Sequence, residues 1–128
     1  MYVVDTHALV WHLTDDPRLG EEARDILNMA DRGEAVILVP SIVLAECFYL
    51  LEKHGQGDMF LKVLDAIEQH PCYDICSLNA EVLRMMPRIT CLSGLHDRII
   101  VATAKIRGAV LITKDEEIGK CGCVPTAW

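Results

Sequence analysis

At 128 residues and 52% apolar, the chain is long and apolar enough to bury its own core, which excludes a disordered tail and a scaffold held only by staples. Twelve Lys and Arg against 19 Asp and Glu leave a formal charge of −7, a balance that repels phosphate at long range and excludes a basic coat for nucleic acid. No stretch approaches the ~20 apolar residues of a spanning helix, and Met1 to Asp5 holds no basic leader, so the expectation is a soluble, cytoplasmic protein with no membrane partner.

Tyr2-Val3-Val4 is a β-type run that stops at Asp5, and a helical segment follows from His7 to Leu13 before a turn at Asp15, Asp16 and Pro17. A second helix is predicted over Glu21–Asp31, where Ala23, Ile26, Leu27 and Ala30 share one face and Gly33 stands just beyond. Ala35–Val39 is continuously apolar, as in a strand covered on both faces of a parallel sheet. Ser41 is placed to cap the next helix, which runs to about Lys53 and stops before His54 and Gly55. Asp58–Gln69 carries Phe60, Leu61, Leu64 and Ile67 at helical spacing, with Pro71 closing it.

Tyr73–Leu78 reads as a strand, Asn79 as the cap of a helix through Met86, and Pro87–Gly94 as a loop. Leu95–Arg107 is predicted helical with Gly108 as its stop, and Val110–Thr113 is another apolar strand. A short helix from Glu116 and a β-type piece at Val124–Thr126 complete the chain. Strands alternating with helices across short connections predict one α/β domain with a largely parallel sheet, which binds ligands beyond the carboxyl ends of its strands.

Six cysteines do not make a disulfide scaffold without an oxidising compartment, so reduced thiols are expected. Cys121 and Cys123 form C-x-C, and Cys72 and Cys76 lie four apart. Neither pair has the two-pair spacing of a structural zinc site. Cys47 and Cys91 sit among apolar residues and are expected in the core.

Four acids stand in unusual places. Asp5 follows the first strand, either as a helix N-cap or as part of a site. Glu46 has Ile42, Val43, Tyr49 and Leu50 three and four positions away, so its carboxylate lies on an apolar stripe and needs a cation, a metal or a raised pKa. A salt bridge to Arg98 or Lys114 is the plainer alternative. Asp97 heads the stripe of Ile100, Val101 and Ala104 in a first helical turn, where the helix dipole also favours an acid. Asp115 lies two residues past an apolar strand and doubles as a candidate cap. Carboxylates gathered in one crevice hold protons unless cations neutralise them, and hard oxygen ligands select Mg²⁺ or Mn²⁺. Such ions suit phosphodiester hydrolysis.

The segments VVDTHALVWHLTDDPRLGEEAR, PSIVLAEC, HDRIIVATA and GAVLITKDEEI, in that order, resemble those of PIN-domain ribonucleases, and within them the VapC-like toxins of toxin-antitoxin pairs. On that resemblance Asp5, Glu46, Asp97 and Asp115 match the family's acidic metal-site positions, and Thr6 and Thr113 its hydroxyl positions. The resemblance implies a three-layer α/β/α fold, Mg²⁺- or Mn²⁺-dependent endonucleolytic cleavage of RNA, inhibition by a cognate antitoxin protein, and usually a homodimer. A second stripe on the Glu46 helix, at Leu44, Phe48 and Leu51, suits either a dimer face or a helix buried on both sides.

Arg98, Lys114 and Arg107 are candidate phosphate contacts, and His96 and His7 candidates for the same role or for proton shuttling; solvated surface charge is the preferred reading of each. Trp11 is expected in the core. Few aromatics remain for stacking on bases, so RNA recognition would rest on shape and backbone. Three rivals are weighed. A phosphoacceptor receiver needs paired acids after its first strand, where this chain has Asp5-Thr6, and a haloacid-dehalogenase-like phosphatase needs an acid where His7 stands. A catalytically silent module acting through a protein partner would not need the complete acidic set.

Overall fold

The computed structural model describes all 128 residues. Five strands form one wholly parallel sheet: β1 (Tyr2–Val4), β2 (Ile37–Pro40), β3 (Tyr73–Cys76), β4 (Val110–Ile112) and β5 (Thr126–Ala127), in the order β3-β2-β1-β4-β5. The chain builds outward from β1 on one side, then returns to the other side through β4. The crevice between the carboxyl ends of β1 and β4 is therefore the topological switch point, where α/β sheets bind ligands.

Seven helices cover the sheet: α1 (Thr6–Leu13), α2 (Glu21–Asp31), α3 (Ser41–Lys53), α4 (Phe60–Gln69), α5 (Ala80–Met85), α6 (Leu95–Arg107) and α7 (Glu116–Cys121). All four residues of β2 are buried, which requires cover on both faces and gives the expected three-layer α/β/α arrangement. A contiguous core of 31 buried residues runs through it, Trp11 included. In α6 every residue from Ile99 to Ala104 is buried, because the helix packs on β1 and β4 while α3 and α5 flank it. That burial fixes the helix whose first turn carries Asp97.

Register brings two acids to the same end. Tyr2, Val3 and Val4 pair with Val110, Leu111 and Ile112, and the Asp5 N–H continues the ladder to the Ile112 carbonyl at 3.1 Å. Asp5 and the segment Thr113–Asp115 thus leave the sheet side by side.

Several boundaries differ from expectation for local reasons. The second strand starts two residues later and ends on Pro40, which itself precedes α3. Ser41 is not a cap: it is the first residue of α3, and its hydroxyl instead accepts the Leu78 N–H at 3.1 Å, pinning the exit of β3. Asp58 falls in a tight turn, Gly57–Met59, ahead of α4. Met86–Arg88 is one 3₁₀ turn where a loop was expected, since Pro87 suits a first helical turn. β3 stops at Cys76, and the last strand is Thr126–Ala127.

The cysteine expectation needs the largest correction. Cys47 is fully buried, but Cys91 is exposed and is joined to Cys121 as a disulfide, so neither core burial nor wholly reduced thiols describe it. The contact spans 30 residues and arises from the fold.

Candidate active site

Asp5 is the N-cap of α1. Its Oδ1 accepts the Ala8 N–H at 2.8 Å, satisfying one of the unpaired donors of the first turn. Burial pushes its carboxyl above the usual carboxylate range. The Thr113 hydroxyl, the Ala8 N–H and His7 oppose that shift, and Asp115 adds to it. Thr6, buried beside it, donates from Oγ1 to Glu46 Oε1 at 3.0 Å across 40 positions of sequence. The other oxygen of Glu46, Oε2, lies 3.1 Å from His96 Nδ1.

Asp97, in the first turn of α6, is also raised, first by burial and then by Asp115 and Glu46, with His96 pulling it down and Glu117 pushing it up. A Cβ on Gly94 would stand 3.2 Å from Asp97 Oδ2, so the loop before α6 runs close under this carboxylate. Asp115 caps α7 by accepting the Glu117 and Ile118 N–H groups at 2.8 and 3.4 Å on Oδ1. Its own N–H donates to Thr113 Oγ1 at 3.1 Å.

The four acids therefore form a linked series in which Asp5 feels Asp115, and Asp97 feels both Asp115 and Glu46. The mutual repulsion argues that they share one crevice. They are not clenched, however: no three of them bring oxygens within 4.8 Å of one another. None has a Lys or Arg partner, and His96 is the one basic side chain in ion-pair contact with the set. The salt bridge that sequence offered for Glu46 is absent. Arg98 instead donates from Nε to the Leu92 carbonyl, and Lys114 stands over the Trp11 ring at 4.4 Å.

Arg107 lies ten residues beyond Asp97 on α6, about 15 Å along a helix, with Nη1 3.8 Å from Cys76 Sγ. It is not part of the crevice. His7 is exposed, with its ring 5.5 Å from that of Trp11.

The cap readings of Asp5 and Asp115 are thus correct as far as one oxygen of each goes, and Asp5 is also served by the Thr113 hydroxyl. Sequence reasoning ranked His96 among surface charges and missed Glu117. The only prior signal for His96 was its place next to Asp97, and for Glu117 its place in the first turn after Asp115. The donor set consists of hard carboxylate oxygens with hydroxyls beside them, partly removed from water and without a fixed cation. It fits a small divalent ion of the Mg²⁺ or Mn²⁺ kind and does not fit a soft one.

Residues 2–122 match the family model of the PIN domain. Three solved structures superpose on nearly the whole chain. VapBC2 from Rickettsia felis bound to a promoter DNA fragment has a TM-score of 0.75 at 19% identity, covering 98% of this chain and 96% of that one. DNA-bound VapBC from Salmonella typhimurium gives 0.74 at 19% identity, with the same coverage. A toxin-antitoxin complex from Klebsiella pneumoniae gives 0.72 at 21% identity, covering 100% and 98%. At these identities the likeness is one of fold. No curated protein matches the chain, and no helix is long and apolar enough to cross a membrane.

Proposed function

Because the chain belongs to the PIN domain family, we propose that it is a divalent-metal-dependent endoribonuclease, acting in the cytoplasm as the toxin of a toxin-antitoxin pair. The observation that carries this reading is the gathering of Asp5, Glu46, Asp97 and Asp115 at the switch point of the sheet with no Lys or Arg to neutralise them. These four would hold Mg²⁺ or Mn²⁺. Held there, such an ion would supply a water of lowered pKa and charge to balance the leaving oxygen of an RNA phosphodiester.

The remaining chemistry belongs to the protein. The caps of α1 and α7 each fix one oxygen of Asp5 and Asp115, and the other oxygens would serve as ligands. Thr6 holds Glu46 by Oε1, which stops a flexible side chain from folding back onto α3. Thr113 serves two neighbours, accepting the Asp115 N–H and tempering the raised pKa of Asp5. His96, exposed and in contact with Glu46 Oε2, is placed to carry a proton or meet a substrate phosphate. Arg98 and Lys114 would meet RNA phosphates only by leaving the partners each already has inside the chain.

One of the solved structures that share this fold is a toxin-antitoxin complex, which supports a protein inhibitor for this chain as well. A homodimer is supported by α3. Leu44 and Leu51 are buried within the chain, but Phe48 is exposed, packs at a tilt on Phe60 with 5.1 Å between ring centres, and adjoins the exposed Leu61. Sedimentation should show a dimer for the wild type and a monomer for Phe48→Glu paired with Leu61→Glu; a monomeric wild type removes this part of the proposal.

The cleavage reading is tested by incubating structured and single-stranded RNA with the protein and Mg²⁺ or Mn²⁺. Fragments are expected, with none when a chelator is present or when Asp5 or Asp97 is replaced by Ala. Cleavage that survives both substitutions refutes the site. A protein that cuts no RNA but still binds a partner protein is the silent module, in which Asp5 and Asp115 act only as helix caps.

A further inference from the structure

Apart from the acids, one cluster of potential ligands is closely gathered: Cys91, Cys121 and Cys123, with all three Sγ atoms within 4.8 Å of one another. Cys91 sits in the loop before α6. Cys121 ends α7, and Cys123 follows it by two residues. Between the last two stands Gly122 at φ +67°, a left-handed conformation that other residues adopt only with strain. That turn folds the C-G-C segment so that Cys121 and Cys123 present sulfurs 3.2 Å apart, and the Cys123 Sγ also lies 3.3 Å from Cys91.

Cys91 and Cys121 are joined as a disulfide with Cα atoms 5.5 Å apart. A cross-link needs two cysteines. The third adds nothing to it, yet is held almost equidistant from both, in a triangle open to solvent on the Cys91 side. We infer that this triangle, when reduced, is a binding site for a thiophilic metal ion, Zn²⁺ or Cu⁺ in class, with the three thiolates as ligands and an outer position left for solvent or an external ligand.

Tetrahedral ligation at ~2.3 Å places sulfurs about 3.8 Å apart, a spacing that three side chains already within 4.8 Å reach by small rotations. Binding requires the disulfide to be opened first by a dithiol or phosphine reductant, which supplies two electrons while water supplies two protons, after which each thiol releases one proton to solvent as its sulfur takes up the ion. No redox change of the metal is involved. Oxidation and metal binding then exclude each other, because a disulfide sulfur is not a thiolate.

The site is distinct in chemistry from the acidic crevice, soft sulfur against hard oxygen, and independent of the nuclease reading. It is nevertheless close to it in the fold. The Cys91 loop is pinned to α6 by the contact of Arg98 with the Leu92 carbonyl, one residue from Asp97, and α7 begins at the Asp115 cap.

The test is titration of Cd²⁺ into protein reduced with a phosphine and freed of it, read by sulfur-to-cadmium charge-transfer absorption, with excess Mg²⁺ present to occupy carboxylates. The expected result is one Cd²⁺ per chain and a band whose intensity counts three thiolates. Affinity should fall at least about 100-fold in Cys123→Ser and be unchanged in Cys72→Ser. Protein oxidised with diamide should give no band. Absence of the band in reduced wild type overturns the inference, as does a Cys123→Ser protein that binds like wild type, or a count of two thiolates. Because the intensity is read on the unaltered chain, a variant that fails to fold does not rescue the idea.

Discussion

Two groups of carboxylates in this molecule lie under opposite electrostatics. On the outer surface Asp16 meets Arg18 through Oδ1 and Oδ2, and that guanidinium pulls its carboxyl down to about 2. Asp15 has Arg24, Glu34 has Arg32, and Asp31 accepts from Tyr73 and contacts His12. In the crevice, Asp5 and Asp97 are pushed upward by burial and by each other's neighbours, and no Lys or Arg answers them. The chain has 12 Lys and Arg to distribute. Arginines pair with acids that do not need them, while the acids that do are left to an external cation. The same contrast reinterprets the charge of −7: its excess is partly a local reservoir of ligands, and each divalent ion bound would offset two of those charges.

The largest effect that would break this contrast is removal of a crevice carboxylate. Glu46→Gln and Asp5→Asn keep shape and hydrogen-bonding capacity but lose charge, and each is expected to lower the RNA cleavage rate about a thousandfold, measured on a fluorogenic RNA at saturating Mn²⁺. A drop of less than tenfold would remove that residue from the site.

Next in size is a stability effect with a definite sign. Asp97 has a folded pKa raised above its unfolded value, so its contribution to stability is complete below about pH 4 and is lost as pH rises through the raised value. Metal-free Asp97→Asn should therefore melt above wild type at pH 7 and lose that advantage toward pH 4. Mn²⁺ should reverse the order, since only the wild type gains full binding energy from it. Equal melting at neutral pH in the absence of metal would show that the crevice acids are not in conflict.

A smaller change is expected at the edge of the set. His96→Ala removes the contact with Glu46 Oε2 and should lower cleavage about tenfold while leaving the melting temperature unchanged. The smallest belongs to the paired acids. Arg18→Ala frees Asp16, yet Arg18 itself is solvent-exposed, so melting should move by about 1 °C or less and cleavage not at all.

Local patterns carried most of the architecture. The apolar runs at β1 and β4, the amphipathic stripe of α2 and the Gly108 stop of α6 are written in adjacent residues, and they suffice to put Asp5 and Asp115 beyond strand ends. Glu46 and Asp97 stood out because a carboxylate on an apolar stripe needs an explanation wherever it falls, and Asp5 and Asp115 because they follow strands. Partnerships between distant segments were not legible. Ser41 resembled a cap and instead serves Leu78; Arg98 resembled a partner for Glu46 and instead holds Leu92. The cysteine triangle joins positions 30 residues apart, and nothing near Cys91 in the chain announces it. In each case propensity set the element, and tertiary packing chose the partner.

The most direct test of the central claim is RNA cleavage by the wild-type chain, followed with and without Mn²⁺ in parallel with RNA binding measured by fluorescence anisotropy. The account predicts cleavage that disappears with chelator and returns with Mn²⁺, and binding that strengthens markedly when the ion is added. Tight RNA binding or undiminished cleavage in the absence of any divalent ion would contradict it.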